Sequence, residues 1–336
     1  MKIIILFFFY LIASGCVTTG PPVYKPEIYR ARQELRAKAL KYRLQKEQIV
    51  SEVGYRLLMN ITDKKGSFPY LGARFIKIDQ YTKSIFNLSR DSGLVIAYVV
   101  AESPAEKGGL KAGDIVITIN NQVLNSETDL RRALGNLNPA AELGFEVLRD
   151  SEVLKFSVIL DRVPLDVQFA MIDKEIVNAG ASADKVVVTY GLMRFIQSED
   201  ELAVILGHEL AHIARGHIGK EMGTDLVSIL LGIAVGYGAE TISPGSGDIV
   251  MRGVGGAFSS FYSREFEREA DYFGIIYAHK AGYNIRAGVD VWERFAIEMP
   301  ESMVRDFYST HPTSTERMLR IEKIVEDIEQ GRIALN

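Results

Sequence analysis

The 336-residue chain has a single cysteine, Cys16, so no disulfide can close within it. It also lacks a long apolar run. Two candidates, residues 3–12 and 226–235, fall short of the roughly 20 residues that a membrane-spanning helix needs. Charge of one sign is not in excess: the formal net charge is −4, and no basic patch interleaved with aromatics stands out. That balance gives no nucleic-acid footprint. No internal repeat is evident. What is there has ordinary globular composition and enough length for two domains plus appendages.

One stretch carries chemistry. His208-Glu209-Leu210-Ala211-His212 reads H-E-x-x-H. Histidines four apart on a helix share a face, so both imidazoles reach one ion, and Glu209 sits at the rim of the same site. The helix is legible on its own terms. Ser198 with Glu201 three residues later forms a capping-box pattern, and Leu202, Ile205, Leu206, Leu210 and Ile213 recur at helical spacing. A catalytic zinc usually keeps three protein ligands and one open position. A third histidine in H-E-x-x-H-x-x-G-x-x-H is excluded, because Arg215 and Ile218 occupy the required places. His217 is rotated well off the His208/His212 face and reads as a polar group near a helix end.

The third ligand is then expected from residues 263–271, which form a second helix. Glu265, Arg268, Glu269 and Tyr272 share a mainly charged stripe and read as a solvated face. Glu267 and Asp271 share another, followed at helical spacing by the small residues Gly274 and Ala278. Small residues there let two helices approach closely. Glu267 is the expected third ligand. Asp271 is the expected acceptor for a ligand histidine, fixing its tautomer.

These residues carry a resemblance. His208-Glu209-Leu210-Ala211-His212 with Ser263-Arg264, Glu267 and Ala270-Asp271 resembles the zinc metallopeptidases that include HtpX and the CAAX prenyl proteases. Asn178-Ala179 ahead of Val186-Val187-Val188-Thr189-Tyr190-Gly191-Leu192 resembles that family's strand before the active-site helix. Thr310-His311-Pro312 ahead of Glu316-Arg317 resembles its C-terminal histidine segment. The resemblance covers residues 164–336. It implies one Zn2+ per chain on His208, His212 and Glu267, with Glu209 as the catalytic carboxylate that takes a proton from a zinc-activated water and passes it to the leaving amine. It places His311 in the active site, where it would donate to the oxyanion, with Arg317 steadying that segment. The strand at residues 186–190 is expected to be an edge strand that pairs with substrate backbone. The many-pass membrane anchors of the best-known members are missing, which removes the reason to expect prenylated substrates.

The N-terminus reads as a targeting segment. After residues 3–12, Ala13-Ser14-Gly15-Cys16 resembles a bacterial lipobox, with Ala13 in place of the usual Leu. Cleavage before Cys16 would leave it as the lipidation site and anchor the chain to a membrane. Val17 resembles lipoproteins sorted to the outer membrane of Gram-negative bacteria, which would place the chain on its periplasmic face. Residues 27–58 read as one or two amphipathic helices. Their role as spacer, partner-binding helix or part of the body is left open by the residues alone.

Residues 63–67 read as a turn-rich linker. Beyond it, Ser103-Pro104-Ala105, Gly109-Leu110, Gly113-Asp114-Ile115-Val116 and Ile119-Asn120 resemble a bacterial PDZ domain. Tyr70, Leu71, Gly72 and Ala73 would form its peptide-binding, carboxylate-holding loop, and residues 126–134 the helix lining its groove. Asn121 stands where Gly is common; Asn tolerates the left-handed conformation. Strands at 143–147 and 153–160 would close the domain around a turn at 149–152. The groove either delivers or gates chains, or serves as a plug.

The expected fold class is α+β: a strand-rich PDZ domain, then a mainly helical zincin metallopeptidase domain with a small sheet. The expected divisions are 1–15 signal peptide, 16–62 tether and helical segment, 63–162 PDZ domain and 163–336 peptidase domain. Residues 223–257 read as a lid or covering segment. Protein or peptide substrates follow, with no nucleic acid and an open oligomeric state. The alternative is a latched or inactive peptidase that acts as a periplasmic chaperone or assembly factor.

Overall fold

In the computed structural model the described residues are 21, 23–218, 262–298 and 315–333. Cys16, residues 223–257 and His311 lie outside them. Among the described residues no helix is long and apolar enough to cross a membrane.

Residues 27–58 belong to one helix, α1 (Lys25–Met59). It starts where the Glu27 carboxylate accepts the Tyr24 N–H at 2.9 Å. Its first half is largely exposed, while Val50, Val53, Leu57 and Leu58 near its end are fully buried. Each such side chain contributes about 1.5–3 kcal/mol relative to exposure. The end of α1 is therefore part of the body, which the sequence left open.

The strand-rich unit holds β1 (Phe68–Tyr70), β2 (Ala73–Lys77), α2 (Gln80–Phe86), β3 (Leu94–Val99), α3 (Pro104–Lys107), β4 (Ile115–Ile119), β5 (Gln122–Val123), α4 (Glu127–Leu134), β6 (Glu142–Arg149), β7 (Glu152–Ile159) and β8 (Asp161–Val163). The main sheet runs β2-β3-β4-β6-β7, with β5 paired to β4. β6 alternates buried and exposed residues, the period-2 pattern of a strand with one face on a core. That core includes Phe75, Leu94, Ile96, Leu110, Ile119, Leu143, Phe145 and Val158. Two hairpins turn through consecutive positive-φ residues, Asn120-Asn121 and Asp150-Ser151, as a tight turn matching strand twist requires. β1 pairs antiparallel with β8 and ties the two ends of the unit together.

The helical unit opens with a small sheet of β9 (Gln168–Ile172), β10 (Ala179–Ala181) and β11 (Lys185–Thr189), ordered β10-β11-β9. β11 is antiparallel to β10 and parallel to β9. The expected edge strand at 186–190 is thus the central one. Val186, Val187 and Val188 are all buried, as a strand covered on both faces demands. The terminal strand packed against the H-E-x-x-H helix is β10. Among the described residues five helices follow: α5 (Tyr190–Phe195), α6 (Glu199–Ala214), α7 (Arg264–Lys280), α8 (Arg286–Glu298) and α9 (Thr315–Glu329). The architecture is α+β, strand-rich first and mainly helical after.

Candidate metal centre

α6 begins at Ser198, whose Oγ accepts the Glu201 N–H at 3.2 Å, while the Glu201 carboxylate accepts the Gln197 N–H at 2.8 Å. Arg294 of α8 grips the same carboxylate through two bonds of 2.8 and 2.7 Å. Burial acts to raise the Glu201 carboxyl, but Arg294 and the Gln197 N–H outweigh it and hold it below the ordinary carboxylate value. This end of α6 is fixed before the histidines come into play.

α7 starts at Ser263, whose Oγ accepts the Phe266 N–H. It lies against α6 with backbone on backbone. A Cβ on Gly207 would sit 2.5 Å from the Gly274 carbonyl, and one on Gly274 would sit 2.6 Å from the His208 nitrogen. Only glycine at both places permits this approach, and the approach carries Glu267, two turns before Gly274, to the histidines.

The imidazoles and Glu267 meet closely. His208 Nε2 and His212 Nε2 are 3.1 Å apart. Glu267 Oε2 is 3.6 Å from the first and Oε1 is 3.4 Å from the second. All three residues are buried, and their ligand atoms form a set that could hold a metal ion. Bonds of about 2.0–2.1 Å to a tetrahedral ion require ligand atoms about 3.3 Å apart. The three separations lie near that value, with each imidazole measured to a different Glu267 oxygen, so the donor set is compatible with such an ion in N, N, O chemistry and approximate spacing. Glu209, next to His208 in sequence, is fully buried and close enough to Tyr262 and Arg317 to act on both electrostatically.

A second ring of groups holds the imidazoles. His208 Nδ1 is 3.0 Å from Asp271 Oδ1. His212 Nδ1 is 3.0 Å from His217 Nδ1, and His217 Nε2 is 3.0 Å from Glu269 Oε2. Arg215 Nε donates to the other Glu269 oxygen at 2.6 Å. With the Nε2 lone pair of His212 turned to an ion, its Nδ1 carries the proton. His212 then donates to His217, which donates in turn to Glu269. Tyr262 stacks on the His212 ring with centroids 3.8 Å apart. Burial, helped by Glu209 and Glu267, pushes its phenol well up.

Sequence reasoning missed His217 and Glu269. His217 was read as a peripheral helix-end group, yet it is 1 % exposed. Glu269 was placed on a solvated stripe, yet it anchors both Arg215 and His217. The helix stops at Ala214, Gly216 turns at φ 69°, and the His217 N–H returns to the His212 carbonyl at 2.9 Å. The signal was present: Arg215-Gly216 is a helix stop, beyond which helical spacing no longer applies.

Arg317, in the first turn of α9, closes the site. Its guanidinium makes bonds of 2.8 and 2.6 Å to Asp271 and lies 2.9 Å from Glu267 Oε2. It sits over the Trp292 ring at 4.4 Å. Burial acts to raise the Asp271 carboxyl, but Arg317 and His208 outweigh it and hold it below the ordinary range. Burial acts to lower Arg317, but Asp271 and Glu267 outweigh that and raise it.

Comparison with known proteins decides the family. The description "Peptidase family M48" matches residues 151–325, just over half of the chain.

The chain belongs to peptidase family M48.

A PDZ domain matches residues 69–160. Among relatives of this M48 protein, metalloprotease YcaL of Escherichia coli is 31% identical over 153 residues, 43% of this chain and 57% of YcaL. The mitochondrial metalloendopeptidase OMA1 of Schizosaccharomyces pombe is 32% identical over 159 residues, 44% of this chain and 43% of that protein. A probable periplasmic serine endoprotease DegP-like of Ectopseudomonas mendocina is 29% identical over 102 residues, 30% of this chain and 22% of that protein. The M48 chain thus spans less than two thirds of each of these relatives.

In the PDZ unit, Tyr70, Leu71, Gly72 and Ala73 line a cavity of about 380 Å³ together with Phe75 of β2 and Leu130 and Leu134 of α4. Gly72 turns at φ 80°, where an added Cβ would meet Ser103 at 2.2 Å. Tyr70 is committed elsewhere: its ring stacks on Tyr55 of α1 at 4.5 Å.

Proposed function

We propose that this chain is a zinc-dependent endopeptidase of the bacterial cell envelope that hydrolyses peptide bonds of misfolded or misassembled proteins. The observation that carries the reading is the buried N, N, O set of His208, His212 and Glu267 beside Glu209. When bound, zinc would supply Lewis acidity, polarising a peptide carbonyl and lowering the pKa of a water from about 16 to roughly 7.

The chain's own residues do the rest. Glu209 accepts the water's proton and delivers it to the leaving amine. Asp271 and His217 hold the two ligand imidazoles in one tautomer and orientation. Arg317 keeps the Asp271 and Glu267 carboxylates in place. Substrate backbone pairs with β10, the sheet edge beside α6. His311 is the proposed oxyanion donor and Cys16 the proposed lipid-bearing residue, holding the enzyme on the periplasmic face of the outer membrane. The DegP-like relatives are described as periplasmic, which agrees with that compartment.

The test pairs metal analysis with casein cleavage. The wild type should hold one zinc and cleave. Glu209→Gln should hold the same zinc and cleave at least about a hundredfold more slowly. A second reading, a latched peptidase acting as a chaperone, is favoured by the Arg317 contact on a ligand carboxylate. Full zinc loading with no cleavage of any chain would support it.

A further inference from the structure

Asp63 lies between α1 and β1, on the stretch that leads into the PDZ domain. The chain is pinned just before it, where Ile61 is 4 % exposed and packs into the same core as α6 and α7. Just after it, Gly66 lies against Pro164, and an added Cβ would sit 2.0 Å from the Pro164 carbonyl. The entry and exit of the PDZ domain therefore touch, and β1 and β8 pair immediately beyond. Asp63 stands three residues before this joint.

Side chains tie residues 62 and 63 to the peptidase domain. Lys280 Nζ of α7 donates to Thr62 Oγ1 at 2.7 Å, and the Tyr277 hydroxyl donates to Asp63 Oδ1 at 3.1 Å. Arg215, at the end of α6, donates to Asp63 Oδ2 at 3.2 Å through one guanidinium nitrogen. Through another it reaches Glu269 at 2.6 Å. Glu269 meets His217, and His217 meets the ligand His212. Polar contacts thus run unbroken from the domain junction to a metal ligand, none longer than 3.2 Å.

A lone exposed ion pair would contribute little. The Arg215 and Asp63 side chains are each only 28 % exposed. The guanidinium is clamped between two carboxylates and lies over the Phe273 ring at 4.1 Å. Its planar fork accepts a narrow set of positions for the groups it binds. A displacement of Asp63 therefore reorients Arg215, and Arg215 shares the Glu269 carboxylate with His217. Members of such a network respond together.

We propose that Asp63 is a positioning residue for the metal centre, and that Arg215 couples the PDZ junction to His212. This rests on reading His208, His212 and Glu267 as the metal ligands. It adds a route by which the seating of the PDZ domain bears on metal affinity. By linkage the effect is reciprocal, so a metal ion on His212 also tightens the junction.

The test uses full-length protein carrying Glu209→Gln, so that no self-cleavage intervenes. Zinc affinity is read by chelator competition, and folding by the melting temperature in chelator. Asp63→Ala should weaken zinc binding by at least about fivefold. Asp63→Glu, which keeps the charge, should recover most of that loss. If Asp63→Ala fails to fold, Asp63→Asn takes its place. The deciding comparison is a double-mutant cycle with His217→Ala, which cuts the route. In that background Asp63→Ala should change zinc affinity by less than about twofold. A merely structural role gives the same loss in both backgrounds, and that result overturns the proposal. So does unchanged affinity of Asp63→Ala alone.

The reverse direction is read at Lys64 and Lys65, which follow Asp63. Zinc should slow trypsin cleavage there by at least about threefold in the parent and not in Arg215→Gln. Equal slowing in both overturns the coupling. A parent that binds no zinc overturns the reading of the centre, and this proposal with it. A parent that binds zinc while the cycle is additive overturns this proposal alone.

Discussion

His217 stands behind His212, their Nδ1 atoms 3.0 Å apart, and hands the contact on to Glu269. One imidazole thus orients another, with a carboxylate at the end of the chain. His208 is held more directly, by Asp271. The two imidazoles are supported by different elements, one by His217 in the loop after α6 and one by Asp271 of α7.

This arrangement predicts the effect of His217→Ala. Removing such a partner typically costs ten- to a hundredfold in metal affinity. Competition against a chromophoric chelator should show zinc binding weakened by about that factor. Glu269→Gln should weaken it less, since an amide oxygen still accepts from His217. Unchanged affinity in both variants would remove the positioning role.

Gly274→Ala tests the helix contact. The new methyl would lie 2.6 Å from the His208 nitrogen and 2.8 Å from its Cα, with backbone that cannot swing aside. α6 and α7 must separate, which should cost about 1–3 kcal/mol of stability. Glu267 would be displaced with α7, so zinc affinity should fall in step. Thermal melting and chelator competition measure the two effects on one sample. Ala278→Gly, one turn further on, should leave zinc affinity within about twofold.

Much of this site was legible in the sequence, because it lies within two helices. Helical spacing placed His208 and His212 on one face, and Glu267 with Asp271 and Gly274 on another. The same reasoning failed where the helix ended. His217 belongs to a turn set by Gly216, and Glu269 reads as solvated from its place on a mainly charged stripe, because its partners Arg215 and His217 come from another element. The central position of β11 was hidden for a different reason. Val186 to Val188 form a continuous apolar run, which points to cover on both faces but does not say which strands pair along its two edges, and pairing with β9 is a long-range choice. α1 was ambiguous because charged residues run through both its exposed first half and its largely buried second half, although the apolar residues concentrate in the second.

The Glu201–Arg294 pair predicts an acid response. Glu201 ordinarily titrates near 4.5, and in the folded chain it titrates lower. The pair's contribution is therefore complete above that ordinary value, and it is lost as pH falls through the folded value. In chelator, where zinc ligation plays no part, the melting temperature of the wild type should exceed that of Glu201→Gln at pH 7. The gap should close progressively below about pH 4.5. A gap that persists undiminished at pH 3 would show that the pair acts by packing alone.

X-ray absorption on the zinc-loaded protein tests the central claim most directly. The predicted spectrum has two imidazole nitrogens and carboxylate or water oxygen at about 2.0–2.2 Å. In Glu267→Ala the oxygen shell should change while the two imidazoles stay. A third imidazole in the wild type, or an unaltered spectrum in the variant, would contradict a centre built from His208, His212 and Glu267.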